Sequence, residues 1–343
     1  MPRRRLSGRQ LERIRAIQDR RRRRLEERRE RLLDDRAEAG ATAYDSAEPQ
    51  AGRILVRHGA SLVVEDEYGQ VHRCQTRRNI GHPVCGDRVV WQPAEAGAGV
   101  VIALQPRESA LSRPDYSGRD KALAANISLM AIVIATSPEP SGYLVDQYLV
   151  AAELIGVAAI IVINKMDLLD PDEQTRFRQG FAHYDSLGCP VLAVSVKGNP
   201  GLGALLPQLA EQTAILLGQS GVGKSSLIKT LLPDQDVQIG RLSQTTGYGR
   251  HTTSATTCYR LHNGGQLIDS PGVRSFRLGA INRADLERGF REFPPYLGHC
   301  RFKDCHHLHE PDCAIRAAVE AGEIAPQRLR NFHHLAAQAQ RQI

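Results

Sequence analysis

The sequence predicts an α/β fold of the doubly wound kind, with a small β-barrel ahead of it and a metal-pinned helical segment behind it. Three observations predict it. Strand-like and helix-like patterns alternate through the middle of the chain, and the strand runs Ile127 to Thr136 and Val157 to Ile163 are continuously apolar, as a parallel sheet covered on both faces requires. A glycine-rich turn, Gly218-Gln219-Ser220-Gly221-Val222-Gly223-Lys224-Ser225, follows the apolar run Thr213 to Leu217 and opens a helical segment from Ser226 to Leu232. Five short β-type runs precede this region, and three cysteines crowd together after it.

The 343 residues have room for two or three domains. Four of the seven cysteines (Cys74, Cys85, Cys189, Cys258) stand singly, which argues against a disulfide framework and for a reduced, cytoplasmic setting with one metal site. No apolar run approaches the ~20 residues of a membrane span. The arginine-rich start is not followed by the hydrophobic stretch of a secretory signal. Residues 1–38 hold fifteen arginines against eight acids, so this arm carries the whole net charge of +7.

Taken in order, residues 1–38 form a basic arm with helical potential whose apolar residues (Leu11, Ile14, Leu25, Leu32) are too sparse to face a core. It reads either as a solvated tail or as an RNA-binding arm that folds on phosphate. Residues 39–50 are a linker. Residues 51–108 contain the short runs Arg53 to Arg57, Ser61 to Glu65, Val71 to Arg77, Asp87 to Trp91 and Val100 to Leu104, separated by glycine turns. Their number and spacing fit a small closed barrel of the OB-fold type. Arg57, His72, Arg73, Arg77 and Arg78 offer it positive charge for RNA; the few aromatics suit a purely structural barrel equally. Residues 109–280 carry the α/β domain, with helices expected over Tyr143 to Ile155, Pro171 to Leu187 and Leu202 to Leu209 and a strand over Pro190 to Val194. Residues 281–343 form the C-terminal helical domain, with helical stretches over Ala284 to Phe293, Ala314 to Ala321 and Gln327 to Gln340.

The motifs choose the ligand. In GxxxxGK[ST], glycines let consecutive backbone N–H groups converge on a polyanion at a helix N-terminus, Lys224 reaches the outer phosphates, and Ser225 binds Mg²⁺, with Ser226 opening the helix behind them. Asn164-Lys165-Met166-Asp167, at the carboxyl end of a strand, is NKxD. An Asp carboxylate accepts from guanine N1–H and its exocyclic amine together, a pair of donors that adenine lacks. Ser195-Val196-Lys197 matches the weaker S-A-K element that closes over the base, and fits an ordinary strand-end turn nearly as well. Asp269-Ser-Pro-Gly272 is DxxG, with Asp269 expected on Mg²⁺ through water and the Gly272 N–H at the γ-phosphate. Thr252 and Thr253 form the first switch, and Thr253 is the preferred Mg²⁺ ligand of the two. NKxD and S-A-K precede the phosphate loop, so the domain is a circularly permuted GTPase. Val273 stands where many GTPases place the water-orienting Gln. Slow intrinsic turnover follows, and His251 is either the group that positions water once a partner orders the segment or a surface histidine.

Cys300-x4-Cys305-x-His307-x5-Cys313 supplies three thiolates and an imidazole, the set of a closed structural zinc site. Local chemistry selects the cysteines; His299, His306 and His309 compete with His307.

These stretches together, NKMD, GQSGVGKSS, GRHTT, DSPGVRSF and CRFKDCHHLHEPDCAI behind HRCQTRRN and GDRVVWQP, resemble the RsgA (YjeQ) family from about Gly52 to Asn331. The resemblance implies a circularly permuted GTPase, binding GTP and GDP with Mg²⁺, that engages the 30S ribosomal subunit and 16S rRNA late in small-subunit maturation and is stimulated by that subunit. It implies zinc on Cys300, Cys305, His307 and Cys313, and His251 at the position proposed to act in hydrolysis. Ser254 replaces the family's third switch threonine, and the arginine-rich arm is longer than the family's usual basic start. A monomer is expected. A GTP-gated RNA-binding scaffold without turnover is the alternative that Val273 keeps open.

Overall fold

The computed structural model describes residues 48–59, 61–76, 80–94, 98–114, 120–198, 200–234, 256–270 and 281–340. The basic arm, Arg77, Arg78, His251, Thr252, Thr253, Ser254, Gly272 and Val273 lie outside these residues.

Five strands, β1 (Gln50–His58), β2 (Ser61–Asp66), β3 (Val71–Thr76), β4 (Arg88–Pro93) and β5 (Ala98–Leu104), close in the order β1-β2-β3-β5-β4 and back to β1, with β3 and β5 parallel. This is the OB-fold barrel the turn spacing predicts. Ile54, Leu62, Val64, Cys74, Val89 and Val101 pack around the fully buried Trp91. That indole needs a glycine beside it: a Cβ on Gly99 would stand 2.6 Å from the ring. Leu55, Val56 and Val63 point the other way and join the core of the next domain, so β1 and β2 are apolar on both faces.

A hairpin of β6 (Ala110–Pro114) and β7 (Asp120–Ala125) leads into the α/β layer. Its elements are β8 (Leu129–Ala135), α1 (Gly142–Ile155), β9 (Ala158–Asn164), α2 (Pro171–Gln179), α3 (Ala182–Ser186), β10 (Val191–Ala193), α4 (Leu206–Leu209), β11 (Thr213–Leu217), α5 (Lys224–Leu231), β12 (Thr257–Arg260) and β13 (Gln266–Asp269). The sheet runs β10-β9-β8-β11-β13-β12, parallel except for β12. Every residue of β8 is buried, which explains its unbroken apolar run. The expected helix over Pro171 to Leu187 is two helices: α2 starts on an Asp170–Glu173 capping box and ends at Gly180, before α3 begins. The expected helix from Leu202 keeps its helical form only over Leu206–Leu209, where Pro207 falls in the first turn.

Barrel and α/β layer share one sheet, because β12 also bridges to β1 at Val56↔Thr257. Beneath this seam the buried Asp87 accepts two bonds from Arg107 (2.7 and 2.8 Å), and Asn126, held at φ 53, donates to Gly86 O at 2.9 Å.

The C-terminal helices α6 (Arg283–Gly289), α7 (Ala314–Glu320) and α8 (Pro326–Gln340) gather Phe290, Phe293 and Phe332 into an aromatic core with Leu286, Ile315 and Ile324. Val150 of α1 belongs to that core, so the segment is docked on the α/β layer. No helix among the described residues is long and apolar enough to cross a membrane.

Candidate functional site

The phosphate-loop sequence turns between β11 and α5 at the carboxyl end of the central strand. Asn164, at the end of the strand that carries NKxD, reaches across and donates its Nδ2 to Val222 O at 2.9 Å. Gly223, at φ 94, makes that approach possible, because a Cβ there would lie 2.3 Å from the Asn164 nitrogen. The end of the NKxD strand and the glycine-rich turn, distant in sequence order, are therefore braced against each other directly. Lys224 Nζ donates to Gly218 O and Gln219 O, both at 2.6 Å, which places the ammonium at the centre of the turn. Tyr148 of α1 hydrogen-bonds the Gly218 backbone from below.

A cavity of about 670 Å³ opens above this turn. Ser220, Gly221, Gly223, Lys224, Ser225 and Ser226 line one end; Asn164, Lys165, Asp167, Val196 and Lys197 line the other, together with Leu168. Cations dominate the charged lining, as a polyphosphate requires, and the acid is Asp167. The Ser195 hydroxyl donates to Asp167 Oδ1 and in turn accepts the N–H groups of Lys197 (3.2 Å) and Gly198 (3.1 Å). The carboxylate is thus held in orientation by the turn that follows β10. Lys165, at φ 63, donates its Nζ to Ser137 O at 2.7 Å. Two buried acceptors here, Asn164 Oδ1 and Gln219 Oε1, have no hydrogen-bond partner among the described residues, which fits a site that completes its bonding through a ligand.

The second cluster lies between α6 and α7. The ligand atoms of Cys300, Cys305, His307 and Cys313 all fall within 4.8 Å of one another. Cys300 and Cys313 Sγ are 3.9 Å apart, and His307 Nδ1 is 3.3 Å from Cys313 Sγ and 3.6 Å from Cys300 Sγ. Metal–ligand bonds of 2.3 Å to sulfur and 2.0 Å to nitrogen give tetrahedral edges of roughly 3.8 Å and 3.5 Å, so the set fits a single tetrahedral ion. His307 takes a left-handed backbone, φ 57, and its N–H donates to Cys305 Sγ at 3.4 Å. Glu310 ties the loop by accepting from the N–H groups of His306 (2.8 Å), Leu308 (2.8 Å) and His309 (3.1 Å).

The permuted strand order, the braced phosphate loop and the Cys/His cluster agree with the comparisons. Residues 104–279 match the family described as RsgA GTPase. The "Small ribosomal subunit biogenesis GTPase RsgA" of Chromohalobacter salexigens is 48% identical over 297 residues, covering 85% of this chain and 87% of the relative. The chain belongs to the RsgA GTPase family. The RsgA protein of Hahella chejuensis is 45% identical over 336 residues, 97% of this chain and 95% of its own length. Among solved structures, YjeQ from Thermotoga maritima has a TM-score of 0.70 at 31% identity, covering 85% of this chain and 98% of that one. YloQ, described as a circularly permuted GTPase, has a TM-score of 0.68 at 26% identity, with 88% and 99% covered.

Set against the RsgA motifs, the structure gathers most of the sequence-predicted residues around one cavity. Met166 and Val222 are buried in the core beneath it. Asp269 ends β13, the parallel neighbour of β11, which brings it beside the phosphate loop. Gly272, Thr253 and His251 lie outside the described residues. Of the competing imidazoles, His306 turns its Nδ1 to Arg283, whereas His307 turns its own to the thiols. Sequence reasoning missed Leu168, Gly198 and Ser137: none belongs to a motif, and each reaches the site through the turn that follows a strand end.

Proposed function

We propose that this protein hydrolyses GTP to GDP and phosphate in a cycle that times its binding to, and release from, the 30S ribosomal subunit during late small-subunit maturation. The observation that carries the guanine assignment is Asp167, lining the phosphate-loop cavity with its carboxylate fixed by Ser195. Asp167 accepts from guanine N1–H and the exocyclic amine, Asn164 braces the site, and Lys165 lies along the base. Residues 218–226 wrap the phosphates: backbone N–H groups converge on them and Lys224 swings from the loop carbonyls to the β- and γ-oxygens. Mg²⁺, when bound, neutralises charge on the β- and γ-phosphates; Ser225, Thr253 and Asp269 are the residues that would hold it. Gly272 donates to the γ-phosphate, and His251 positions the attacking water once the partner orders its segment. Water adds to the γ-phosphorus as the bond to the β–γ bridging oxygen breaks, releasing inorganic phosphate.

The C-terminal cluster holds one structural Zn²⁺ on Cys300, Cys305, His307 and Cys313; its support is the tetrahedral fit of the donor atoms. Residues 51–108, 109–280 and 281–343 are the working domains, with barrel, basic arm and C-terminal domain gripping 16S rRNA. Arg73 is exposed on the barrel, while Arg57 is committed to Pro83 O and Gly59 O and His72 to Asp66. The protein acts as a monomer in the cytoplasm, a setting consistent with its free cysteines.

Val273 supports one second reading, a GTP-gated RNA-binding scaffold. Phosphate release measured with no subunit, with 30S and with 50S, at two salt concentrations, separates them. A 30S-specific, salt-weakened stimulation with multiple turnover is expected. Stoichiometric GTP binding with a flat rate under all conditions would favour the scaffold.

A further inference from the structure

The metal cluster has a neighbour that none of the motifs contains. His307 presents Nδ1 to the thiols of Cys313 and Cys300, which leaves Nε2 on the far side of the ring, 3.4 Å from Glu287 Oε1. Glu287 sits on α6, its side chain largely buried, and the same oxygen accepts from Arg283 Nε at 2.6 Å. Arg283 also donates through its Nη2 to Cys305 O at 2.8 Å and contacts the His306 ring. His307 is 4% exposed, its carbonyl is within 2.9 Å of His333 Nε2, and its ring packs against Phe332. One carboxylate and one guanidinium on α6 therefore reach two of the four donor residues, one through its ring and one through its carbonyl, and the His306 side chain between them.

We propose that Glu287 is a positioning residue for this metal site, accepting from His307 Nε2–H so that Nδ1 is the deprotonated, ligating nitrogen. The reasoning rests on the zinc reading above and on the chemistry of imidazole. A neutral imidazole has one N–H and one lone pair, and an acceptor on one nitrogen puts the lone pair on the other. A carboxylate does this better than water or a carbonyl, because its charge also raises the basicity of the ligating nitrogen. Arg283 keeps the carboxylate in place and balances its charge. The set as a whole becomes a ligand plus its outer support, with the support carried by the helix that enters the C-terminal domain rather than by the metal loop. Loading the metal then fixes α6 as well as the loop that holds the ion.

The test uses the full chain with Zn²⁺ and Co²⁺ as probes. Zn²⁺ affinity is measured by competition with a chromophoric chelator, and Co²⁺ substitution reports the ligand set through its visible absorption. Glu287→Gln keeps shape and removes charge; Zn²⁺ affinity is expected to fall about 10- to 100-fold while the Co²⁺ spectrum retains its three-sulfur, one-nitrogen form. In a His307→Cys background, which has no imidazole to orient, the same Glu287→Gln change is expected to alter affinity by less than twofold. Wild-type affinity in the single variant would overturn the proposal. So would an equal loss in both backgrounds, which would mean that Glu287 only supports helix packing. If His307→Cys binds no metal, the Glu287→Gln rate of Zn²⁺ transfer to the chelator decides: an unchanged rate overturns the proposal and a faster one supports it. A wild-type chain that takes up neither ion would overturn the zinc reading itself, a result distinct from the others.

Discussion

Arg328 offers the sharpest test of how the C-terminal domain is held on the GTPase layer. Its guanidinium, 2% exposed, donates to Asp146 Oδ1 at 2.6 Å and to both oxygens of Glu292 at 2.5 and 2.8 Å, and lies 4.4 Å from the centre of the Phe290 ring. Asp146, on α1, is fully buried and also receives the Tyr184 hydroxyl at 2.7 Å and Asn331 Nδ2 at 2.6 Å. Burial opposes the charge on Arg328, but Glu292 and Asp146 outweigh it and hold its pKa above the usual arginine value. Arg328→Met keeps most of the stem's packing and leaves both Glu292 and the more deeply buried Asp146 with no cation, an error that typically costs about 3–5 kcal/mol in a buried pair. At ~1.4 kcal/mol per decade, that loss raises the opening equilibrium of α8 roughly 10²- to 10³·⁵-fold. Amide hydrogen exchange read peptide by peptide is the assay: Pro326–Gln340 should lose about that much protection while the barrel strands keep theirs. The double variant Arg328→Met/Glu292→Leu removes one of the two stranded carboxylates, leaving Asp146 to the neutral donors Tyr184 and Asn331, and should recover part of the loss. If the double variant exchanges faster than the single one, the uncompensated-charge argument is wrong and Glu292 stabilises by another route.

Three further outcomes are expected. Asp167→Asn should weaken GDP binding about 10²- to 10⁴-fold, from two charge-assisted bonds of about 1.5–3 kcal/mol each, and should gain affinity for xanthosine diphosphate, whose carbonyl replaces the amine; equal GDP affinity by titration calorimetry would remove Asp167 from the base site. Burial pushes the thiols of Cys74 and Cys189 up to about 12, so less than ~10⁻⁴ of each of these two is thiolate at pH 7.5; it also raises that of Cys85, and Cys258 is buried as well; the folded, metal-loaded chain should not react with a disulfide reagent, chelation should release the thiols of Cys300, Cys305 and Cys313, and fast reaction before chelation would refute this. Burial opposes ionisation of Asp66, but its bond to His72 and the N–H groups of Gln70 and Tyr68 lower its pKa, so it adds stability above the unfolded value near 3.9 that is lost as pH falls through the folded one; Asp66→Asn should cost about 0.5–1 kcal/mol at pH 7 and progressively less as the pH falls through the folded pKa, and a difference that does not shrink in acid would contradict the linkage.

What could be read from the sequence was what local chemistry encodes. The phosphate loop, NKxD and DxxG are short, and each is positioned by the strand just before it, so their order alone revealed the permutation. The barrel announced itself through turn spacing. The remainder depends on residues far apart in the chain. Nothing near Asp146 points to Arg328 and Asn331, which meet it only once α8 docks on α1. The choice of His307 over its neighbours depends on a left-handed backbone and on what occupies its other nitrogen, and neither leaves a trace in spacing. The hairpin β6–β7 and strand β12 were missed because Ala-rich and polar residues hide their alternation, and β12 takes its place through pairing on both sides.

That double pairing bears on why the permuted order is useful. In this chain the phosphate loop is followed by α5, then β12, β13 and α6, with no further strand of the layer after Asp269 among the described residues. β12 is hydrogen-bonded to β13 over Cys258↔Ile268 and bridged to the barrel at Val56↔Thr257, and Arg260 pairs with Glu65 of β2 at 3.1 Å. A shift of β12 along its own axis must either break that bridge or carry the barrel with it. On the other side, the chain leaving DxxG enters α6, whose Arg283 and Glu287 hold the metal loop and whose Leu286 is in the aromatic core. The two segments expected to respond to the γ-phosphate thus run into elements fixed to different flanking domains. An unpermuted chain would send the second of them back into the sheet toward NKxD; here the first described elements after the two segments are β12, paired to the barrel, and α6, packed in the aromatic core.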